Sequence, residues 1–326
     1  MKDKVLEILK ENKEYISGEK ISNILDVSRT AVWKNINSLK EDGYEIDSVS
    51  RKGYKLISSP DLLSYQEIEP YLNTKFIGRN IQYFDTIDST NKKTKEIAEE
   101  STDGTVIISE EQTLGRGRLG RNWSSPKGKS LLISILIKPN IDPSKVSNIT
   151  LVGAVALVKA LEYFDIEGLI KWPNDIIING KKIAGILTEL SAEINQVNYV
   201  VMGIGVNLYT NEEEFPEDIR HKAGSILSET GKTINRKKFT GKFLNCFEKY
   251  YQEYFLGNNF DEVIKISKEK SILMGKEVKI VERNYSYEAK VLDITEKGHL
   301  LIEKKDGSKE EIYSGEVSVR GKNGYI

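Results

Sequence analysis

The chain has 326 residues, of which 39% are hydrophobic and 30% charged, and its formal net charge of -1 excludes a protein that is cationic over its whole surface. The single cysteine excludes an internal disulfide and indicates a reducing compartment. With only two histidines, the chain has too few ligands for a His/Cys zinc cage, and catalysis by a Ser–His or Cys–His nucleophile is disfavoured. No apolar run reaches the roughly 18 residues of a membrane span and the charged start is unlike a secretory signal, so we expect a cytoplasmic protein with no membrane partner.

Residues 1–60 predict a winged helix-turn-helix domain. After a first amphipathic helix, a cap signal at Ser17 and a good N-cap at Ser28 predict two helices joined by the short turn DVS. The alternating segment YEIDSVSRKGYKLI predicts two short strands around the basic tip SRKG. Helix, turn, helix and basic hairpin in this order are typical of a DNA-binding module.

The second of these two helices and the hairpin tip carry the predicted DNA contacts. One helix face would enter a major groove, and the basic tip would contact the phosphate backbone. The predicted DNA-binding residues are Ser28, Arg29, Thr30, Lys34, Arg51 and Lys52. A helical dimerisation or protein-binding module is the alternative interpretation, and Trp33 fits either an exposed recognition position or the core.

Residues 61–80 predict a linker with one short helix, and residues 81–270 a central domain. In the central domain, strands rich in β-branched residues alternate with a few helices, and Asn179-Gly180 is a strong signal for a type I′ hairpin. Because several strands are joined by hairpins, we expect an α+β fold with a mixed sheet rather than a doubly wound one.

The segment EEQTLGRGRLGRNWSSPKGKS, residues 110–130, predicts an anion-binding loop. It matches the pattern G-x-G-x-x-G, but a strand follows instead of a helix and no acidic residue occurs between Thr113 and Ile141, so a dinucleotide fingerprint is excluded. Glycine lets the backbone approach a ligand closely, and guanidinium groups match phosphate oxygens, which favours a phosphate ligand. A solvated basic loop is the alternative.

The segment KWPNDIIINGKKIAGI predicts a second cluster of charges. Lys171 ends an apolar strand, where a cation is costly without an anionic partner. Asp175 follows a proline turn and is a candidate Mg²⁺ ligand, and Lys182 follows the hairpin. Two lysines and a carboxylate around one turn suit charge stabilisation in phosphoryl chemistry, although a structural salt bridge would explain Lys171 or Asp175 alone.

Residues 271–326 alternate in short strands with predicted turns at RNYS, EKGH and KDGS. This pattern predicts a small β domain of the SH3-like barrel type.

Five motifs in order, together with the N-terminal module, carry a resemblance that covers nearly the whole chain. They are DSTN (88–91), EEQTLGRGRLGRNWSSP (110–126), KWPNDI (171–176), KKIAGIL (181–187) and GIGVNL (203–208). The chain resembles the biotin–protein ligase family and, with its N-terminal module, the bifunctional members that are also biotin operon repressors. The resemblance implies a class II synthetase-like central domain, and biotin and ATP as substrates.

The resemblance also implies roles for individual residues. Lys182, Arg118 and Lys171 would be catalytic. Biotin would contact Ser89, Thr90, Asn91, Gln112, Arg116, Gly117, Arg118 and Lys182. ATP or the adenylate would contact Gly115, Trp123, Lys171, Asn174, Asp175 and Asn207, with Mg²⁺ at Asp175.

The implied chemistry has two steps, formation of biotinyl-5′-AMP and transfer of biotin to a lysine of the biotin carboxyl carrier protein of acetyl-CoA carboxylase. The adenylate would also order loops, promote a homodimer and favour binding to a two-fold operator. Two alternatives remain, a lipoate–protein ligase and a non-enzymatic transcription factor that senses a small anion with an inactive ligase domain.

Overall fold

The computed structural model describes residues 1–194, 196–257, 259–282, 285–313 and 318–321. The chain divides into two compact units, Met1–Pro70 and Tyr71–Ile326. The division falls inside the segment 61–80 expected to be a linker, and the domain boundaries drawn from the sequence stay predictions.

The first unit contains four helices and one hairpin. Its elements are α1 (Lys2–Glu11), α2 (Gly18–Leu25), α3 (Arg29–Glu41), β1 (Glu45–Val49), β2 (Gly53–Ser58) and α4 (Tyr65–Ile68). Ser17 caps α2 by accepting from the backbone N–H of Lys20, and Ser28 caps α3 by accepting from that of Ala31. Val32, Ile36 and Leu39 are buried against α1 and α2 and form the inner face of α3.

The hairpin of the first unit is fixed by a close backbone approach. Gly53 has φ +111° and lies against the backbone of Ile16, where a Cβ would come within 2.0 Å of the carbonyl oxygen. Ile16 and Tyr54 exchange two backbone hydrogen bonds of 2.9 Å. The wing is therefore held to the segment that precedes α2.

The centre of the second unit is a seven-stranded mixed sheet. Its strands are β3 (Ile81–Phe84), β4 (Val106–Ser109), β5 (Ser130–Ile137), β6 (Leu169–Lys171), β7 (Asp175–Ile178), β8 (Lys181–Glu193) and β9 (Gln196–Asn207). The order is β3-β4-β5-β9-β8-β7-β6, in which β3 and β4 are parallel and every other neighbouring pair is antiparallel. The predicted mixed sheet is confirmed.

Helices cover this sheet. They are α5 (Thr90–Ile97), α6 (Val146–Glu162), α7 (Glu217–Arg220), α8 (Ile226–Thr230), α9 (Arg236–Lys249) and α10 (Asp261–Glu269), with a π-helix at Tyr250–Leu256. The helical segment Pro143–Glu162, which contains α6, is by length and composition apolar enough to cross a membrane, but 72% of its apolar 18-residue window is buried inside the fold, as expected of a core helix. Asn179 and Gly180, both with positive φ, form the predicted tight turn between β7 and β8.

A five-stranded antiparallel sheet follows the helices. Its strands are β10 (Glu277–Val281), β11 (Ser286–Ile294), β12 (Leu300–Lys304), β13 (Lys309–Ile312) and β14 (Ser318–Gly321), in the order β13-β12-β11-β10-β14. Gly298 and Gly307 turn the chain at EKGH and KDGS, whereas the predicted turn RNYS begins with Arg283 and Asn284, outside the described residues. Trp172 joins this sheet to the central domain by donating to the carbonyl of Gly298 at 3.0 Å.

Candidate active site

A narrow polar cleft of about 50 Å³, here called the inner cleft, lies where α5 faces β8 and β9. Thr90 at the start of α5 donates from its backbone N–H and its hydroxyl to Oε1 of Gln112, at 2.8 and 3.0 Å. Asn91 donates to the carboxylate of Glu189 at 2.7 Å and accepts from the hydroxyl of Ser134 at 2.6 Å. These bonds hold the polar groups of the cleft in one arrangement before a ligand enters.

Two glycines of β9 make room for side chains of the inner cleft. A Cβ on Gly203 would lie 2.0 Å from Oδ1 of Asn91, and a Cβ on Gly205 would lie 2.4 Å from the indole ring of Trp123. Gly205 pairs with Gly185 of β8, where a Cβ would come within 3.0 Å of Nζ of Lys182. Gly185 and Gly205 thus form a flat floor on which Trp123 and Lys182 lie, and Gly203 makes the same room for Asn91.

The glycine- and arginine-rich loop folds as a small hairpin beside the inner cleft. The backbone N–H of Gly117 donates to the carbonyl of Arg121 at 2.7 Å, and that of Trp123 donates to the carbonyl of Gly115 at 2.9 Å. Leu119 and Gly120 turn the tip with φ of 57° and 72°. The hairpin brings Arg116, Gly117, Arg118 and Trp123 to the cleft wall.

The indole N–H of Trp123 is buried and has no hydrogen-bond partner among the described residues. An unpaired buried donor is costly, so the position favours a ligand that supplies an acceptor. The Nζ of Lys182 lies 5.7 Å from the centroid of the same ring, which places a cation and an aromatic face together.

Arg118 and Asn174 connect the hairpin to the sheet. Arg118 Nη1 donates to Oδ1 of Asn174 at 2.9 Å, and Nδ2 of Asn174 donates to the carbonyl of Ile186 at 3.0 Å. The backbone N–H of Ile186 in turn donates to the carbonyl of Asn174 at 2.9 Å. Asn174 follows the cis peptide bond Trp172–Pro173 and is held on both sides by one residue of β8. Burial lowers the pKa of Arg118, and the charge of Asp175 opposes this shift.

Lys171, Asp175 and Lys182 form the predicted charge cluster. Lys182 Nζ lies 2.6 Å from Asp175 Oδ1. Lys171, at the end of β6, is only 3% exposed. Burial lowers the pKa of Lys171 to about 8; the charge of Asp175 opposes the shift and that of Lys182 adds to it. Two cations therefore share the neighbourhood of one carboxylate, as suits a site that binds further negative charge.

A second cavity, here called the outer cleft, has a volume of about 390 Å³ and opens next to the inner one. Arg118, Asn174 and Lys182 line both clefts. The cations that line the outer cleft are Arg118, Arg121, Lys171, Lys182, Lys222 and Arg320, and its one carboxylate among the described residues is Asp175. Such an excess of positive charge fits a polyphosphate.

The segment before α8 reaches the outer cleft because it is bonded to the start of β8. The backbone N–H of Lys182 donates to the carbonyl of Lys222 at 2.7 Å, and the N–H of Gly224 donates to the carbonyl of Lys182 at 3.0 Å. His221 and Lys222 thereby line the cleft. Asn207 holds the same segment by donating to the carbonyl of Gly224 at 3.0 Å.

The structure brings most of the predicted site residues together. The inner cleft contains Ser89, Thr90, Asn91, Gln112, Arg116, Gly117, Arg118, Trp123, Asn174 and Lys182, and the outer cleft adds Lys171 and Asp175. Gly115 and Asn207 are not among the described residues that line the inner or the outer cleft. Gly115 lies against the carbonyl of Trp123 and the amide of Gln112, and Asn207 lies behind the segment that carries Lys222. The ligand contacts assigned to all of these site residues stay predictions.

The first unit presents a separate open groove between α3 and the wing. Arg29 and Thr30 of α3 and Arg51 of the hairpin tip line it, together with Trp33, which is 54% exposed. Lys34 and Lys52 are exposed, and Ser28 uses its side chain as the cap of α3. Of the two environments predicted for Trp33, the exposed position on α3 is therefore confirmed within this unit, and the core position is wrong.

Comparison with known proteins gives the family. The bifunctional ligase/repressor BirA of Bacillus subtilis (strain 168) is 39% identical over 308 residues, 94% of each chain. The chain belongs to the biotin–protein ligase family. The BirA protein of Escherichia coli (strain K12) is 29% identical over 323 residues, 95% of this chain and 94% of that protein.

Three family models match separate parts of this biotin–protein ligase chain, and solved structures match its fold. The biotin/lipoate A/B protein ligase family matches residues 83–207, an HTH domain matches residues 2–55, and the biotin protein ligase C terminal domain matches residues 273–320. The biotin protein ligase from Aquifex aeolicus in complex with biotin and ATP has a TM-score of 0.65 and 32% identity, and covers 74% of this chain and 99% of that one. Helix-turn-helix, mixed-sheet ligase domain and C-terminal antiparallel sheet are thus confirmed.

Sequence reasoning missed several site residues of this biotin–protein ligase. Gly203 and Gly205 belong to the motif GIGVNL, and alternating glycines in a buried strand are a signal of close approach from one face. His221, Lys222 and Arg320 reach the outer cleft from distant parts of the chain. No local pattern marks these three residues, because only the tertiary fold brings them to the cleft.

Proposed function

We propose that the two clefts together make this chain an ATP-dependent biotin–protein ligase, a biotin–[acetyl-CoA-carboxylase] ligase. It forms biotinyl-5′-AMP and transfers biotin to a lysine of the biotin carboxyl carrier protein. The observation that carries the proposal is that the polar inner cleft and the cationic outer cleft share Arg118, Asn174 and Lys182. Biotin in the inner cleft and the triphosphate in the outer one would meet at these three residues.

The first step joins two anions, which explains the cations at the junction. An oxygen of the biotin carboxylate forms a bond to the α-phosphorus of ATP, and the bond from that phosphorus to the bridging oxygen breaks, releasing pyrophosphate. Arg118 and Lys182 would reduce the repulsion between carboxylate and phosphate and stabilise the charge of the transition state. Positioning and charge neutralisation suffice here without a nucleophile from the enzyme.

The outer cleft would hold the phosphates that leave as pyrophosphate. Lys171 and Lys222 reach it from the ligase domain, and Arg320 reaches it from β14 of the C-terminal sheet. Arginine and lysine recognise phosphate oxygens by charge-assisted hydrogen bonds. We therefore assign the C-terminal sheet a contact with the nucleotide phosphates.

Asp175 is suited to act as a ligand of Mg²⁺ that arrives with ATP. Magnesium is commonly bound by one or two carboxylates together with substrate phosphates, and the described residues contain no cluster of three or more His, Cys, Asp or Glu that could hold a metal by itself. One carboxylate in a cleft suited to phosphates matches the first arrangement. The ion would neutralise phosphate charge, while Asp175 also holds Lys182 in place.

We also propose that the N-terminal unit makes the chain a repressor of genes for biotin synthesis and transport. The groove with Arg29, Thr30 and Arg51 has the form of a winged helix that reads DNA. Biotinyl-AMP would favour a cytoplasmic homodimer whose two-fold axis matches a two-fold operator. Exposed apolar residues at the β8–β9 hairpin, Leu190 and the 96% exposed Ile194, support an interface in that region.

The ligase proposal is tested by incubating the chain with ATP, Mg²⁺, biotin and a carrier domain, and measuring the mass of the carrier. We expect one added biotinyl group and pyrophosphate release that requires biotin. A competition with lipoate separates the two acids, because a lipoate ligase would modify its carrier with lipoate instead. Absence of pyrophosphate release with either acid would favour the non-enzymatic sensor.

The repressor proposal is tested by sedimentation and operator binding, with and without biotin plus ATP. We expect both self-association and operator affinity to rise with the ligands. Arg29→Ala and Lys52→Ala should weaken DNA binding and lower its salt dependence while ligase activity persists. Unchanged dimerisation and unchanged operator affinity would refute the switch.

A further inference from the structure

A third cavity of about 310 Å³, here called the side groove, opens beside the two clefts. Ser147 and Thr150 of α6 and Thr188 of β8 are among the residues that line it. Arg118 and Asn174, which line both clefts, also line the side groove. The three cavities therefore converge on one pair of residues.

This convergence places the inner end of the side groove at the reacting atoms. In the proposed reaction the mixed anhydride lies at the junction of the two clefts, and two of the three junction residues, Arg118 and Asn174, also line the side groove. A group that enters along the side groove would reach the anhydride from a third direction. It would displace neither biotin in the inner cleft nor the phosphates in the outer cleft.

The charged residues that line the three cavities differ, and this difference decides which cavity could admit the lysine of a protein acceptor. The outer cleft has six cationic side chains, Lys171 and Arg320 among them, against one carboxylate, so a protonated amine would be repelled there. The inner cleft is narrow and would already hold biotin. Among the described residues of the side groove, Arg118 is the one cation, and the other walls are neutral.

Two hydroxyl groups on the wall of the side groove are suited to an amine. Thr150 Oγ1 and Thr188 Oγ1 lie 2.8 Å apart, and Thr150 is 8% exposed. One hydroxyl donates to the other, which leaves lone pairs free to accept from an N–H group. Burial and the positive charge of Arg118 would also favour the neutral amine over the ammonium form, and the neutral amine is the nucleophile.

We propose that the side groove admits the lysine side chain of the protein acceptor and that Thr150 and Thr188 bind its amine; this inference rests on the proposed ligase function. The lysine nitrogen forms a bond to the carbonyl carbon of biotinyl-AMP. The bond from that carbon to the phosphate oxygen breaks, AMP leaves with the electron pair, and one proton of the amine passes to solvent. The biotinyl amide is the product.

The test measures the two half-reactions separately in Ser147→Phe, which fills the groove from α6. The first assay is biotin-dependent exchange between pyrophosphate and ATP, and the second is single-turnover transfer from preformed adenylate to the carrier domain. We expect exchange within about twofold of wild type and transfer slowed about 10- to 100-fold. Hydroxylamine, a small nucleophile, should still cleave the bound adenylate at close to the wild-type rate.

Ser144→Phe is the matched control, because Ser144 is exposed on the same segment outside the groove. It should leave both half-reactions unchanged. Thr150→Val with Thr188→Val, which keeps the shape and removes the hydroxyls, should raise the KM for the carrier domain while exchange persists. Wild-type transfer in Ser147→Phe, or an equal loss of exchange and transfer, would overturn the side groove as the lysine route. Absence of exchange in the wild-type chain would instead refute the ligase function itself.

Discussion

Lys182 Nζ lies 2.6 Å from Asp175 Oδ1, so the start of β8 and the start of β7 are joined by an ion pair at the wall of the outer cleft. The pair has two consequences. It holds the lysine that lines both clefts, and it places one carboxylate among cations that would otherwise repel each other. An incoming nucleotide would have to share this carboxylate between the lysine and any accompanying Mg²⁺.

Asp175→Asn tests that double role. The substitution keeps the size of the side chain, removes its charge and frees Lys182, so we expect the rate of adenylate formation to fall about 100-fold. It should also raise the Mg²⁺ concentration needed for half-maximal activity. Rates measured across a Mg²⁺ titration check both effects. A lowered melting temperature with an unchanged Mg²⁺ requirement would mean that the pair is structural alone.

Lys171 predicts a pH dependence of ATP binding. Burial lowers its pKa to about 8, so the amine is protonated at pH 7 and becomes neutral as the pH rises through about 8. A bound phosphate favours the ammonium form, and ATP affinity should therefore fall above that pH. Lys171→Arg should keep its affinity there, because arginine stays charged. Titrations of ATP affinity from about pH 6.5 to about 9.5 at constant ionic strength measure this dependence. The same fall in affinity in the wild type and in Lys171→Arg would show that Lys171 is not its cause.

One added methyl group at Gly203 or at Gly205 is expected to impair the binding of a different substrate in each case. Gly205→Ala would displace the indole of Trp123 and should raise the KM for ATP, whereas Gly203→Ala would displace Asn91 and should raise the KM for biotin. Each change should be about tenfold or more, because contacts under 3.0 Å require a shift of the neighbour. Steady-state kinetics with each substrate varied in turn decide the point. Equal effects on both substrates would show a general disturbance of β9.

Arg236 predicts a large loss of stability. Its Nη1 lies 2.7 Å from Oε2 of Glu110 and 3.3 Å from the carbonyl of Ser130, and Arg236 is 2% exposed. Arg236→Met would leave a buried carboxylate without this cation, which costs about 3–5 kcal/mol of unfolding free energy. Urea denaturation measures the loss. The double variant with Glu110→Gln should recover part of it, and equal stabilities of single and double variants would show that the charge of Glu110 is not the cause.

Features of the fold and of the clefts that depend on residues close together in sequence could be predicted. The caps of α2 and α3 and the Asn179-Gly180 turn follow from side-chain and backbone preferences that act over a few residues. The mixed sheet followed from the alternation of strands and hairpins. The pairing of Lys182 with Asp175 needed the register of β7 and β8, which a pattern of single residues does not give.

Contacts between distant segments could not be predicted in the same way. Arg320 lies on β14, about half the chain away from Lys171, and both line the outer cleft. The role of Gly205 depends on Trp123, a distant residue whose indole ring lies directly on it in the fold. Trp33 fitted two environments because a tryptophan on an amphipathic helix suits either an inner or an exposed face until the neighbouring elements are fixed.

Exchange of label between pyrophosphate and ATP shows whether biotin and ATP react at the junction of the two clefts. The exchange reports formation of the adenylate alone, without a carrier protein or DNA. We predict exchange that requires biotin in the wild-type chain and that falls about 100-fold or more in Lys182→Ala with the fold intact. Exchange without biotin, or full exchange in Lys182→Ala, would show that biotin and ATP do not react at this junction.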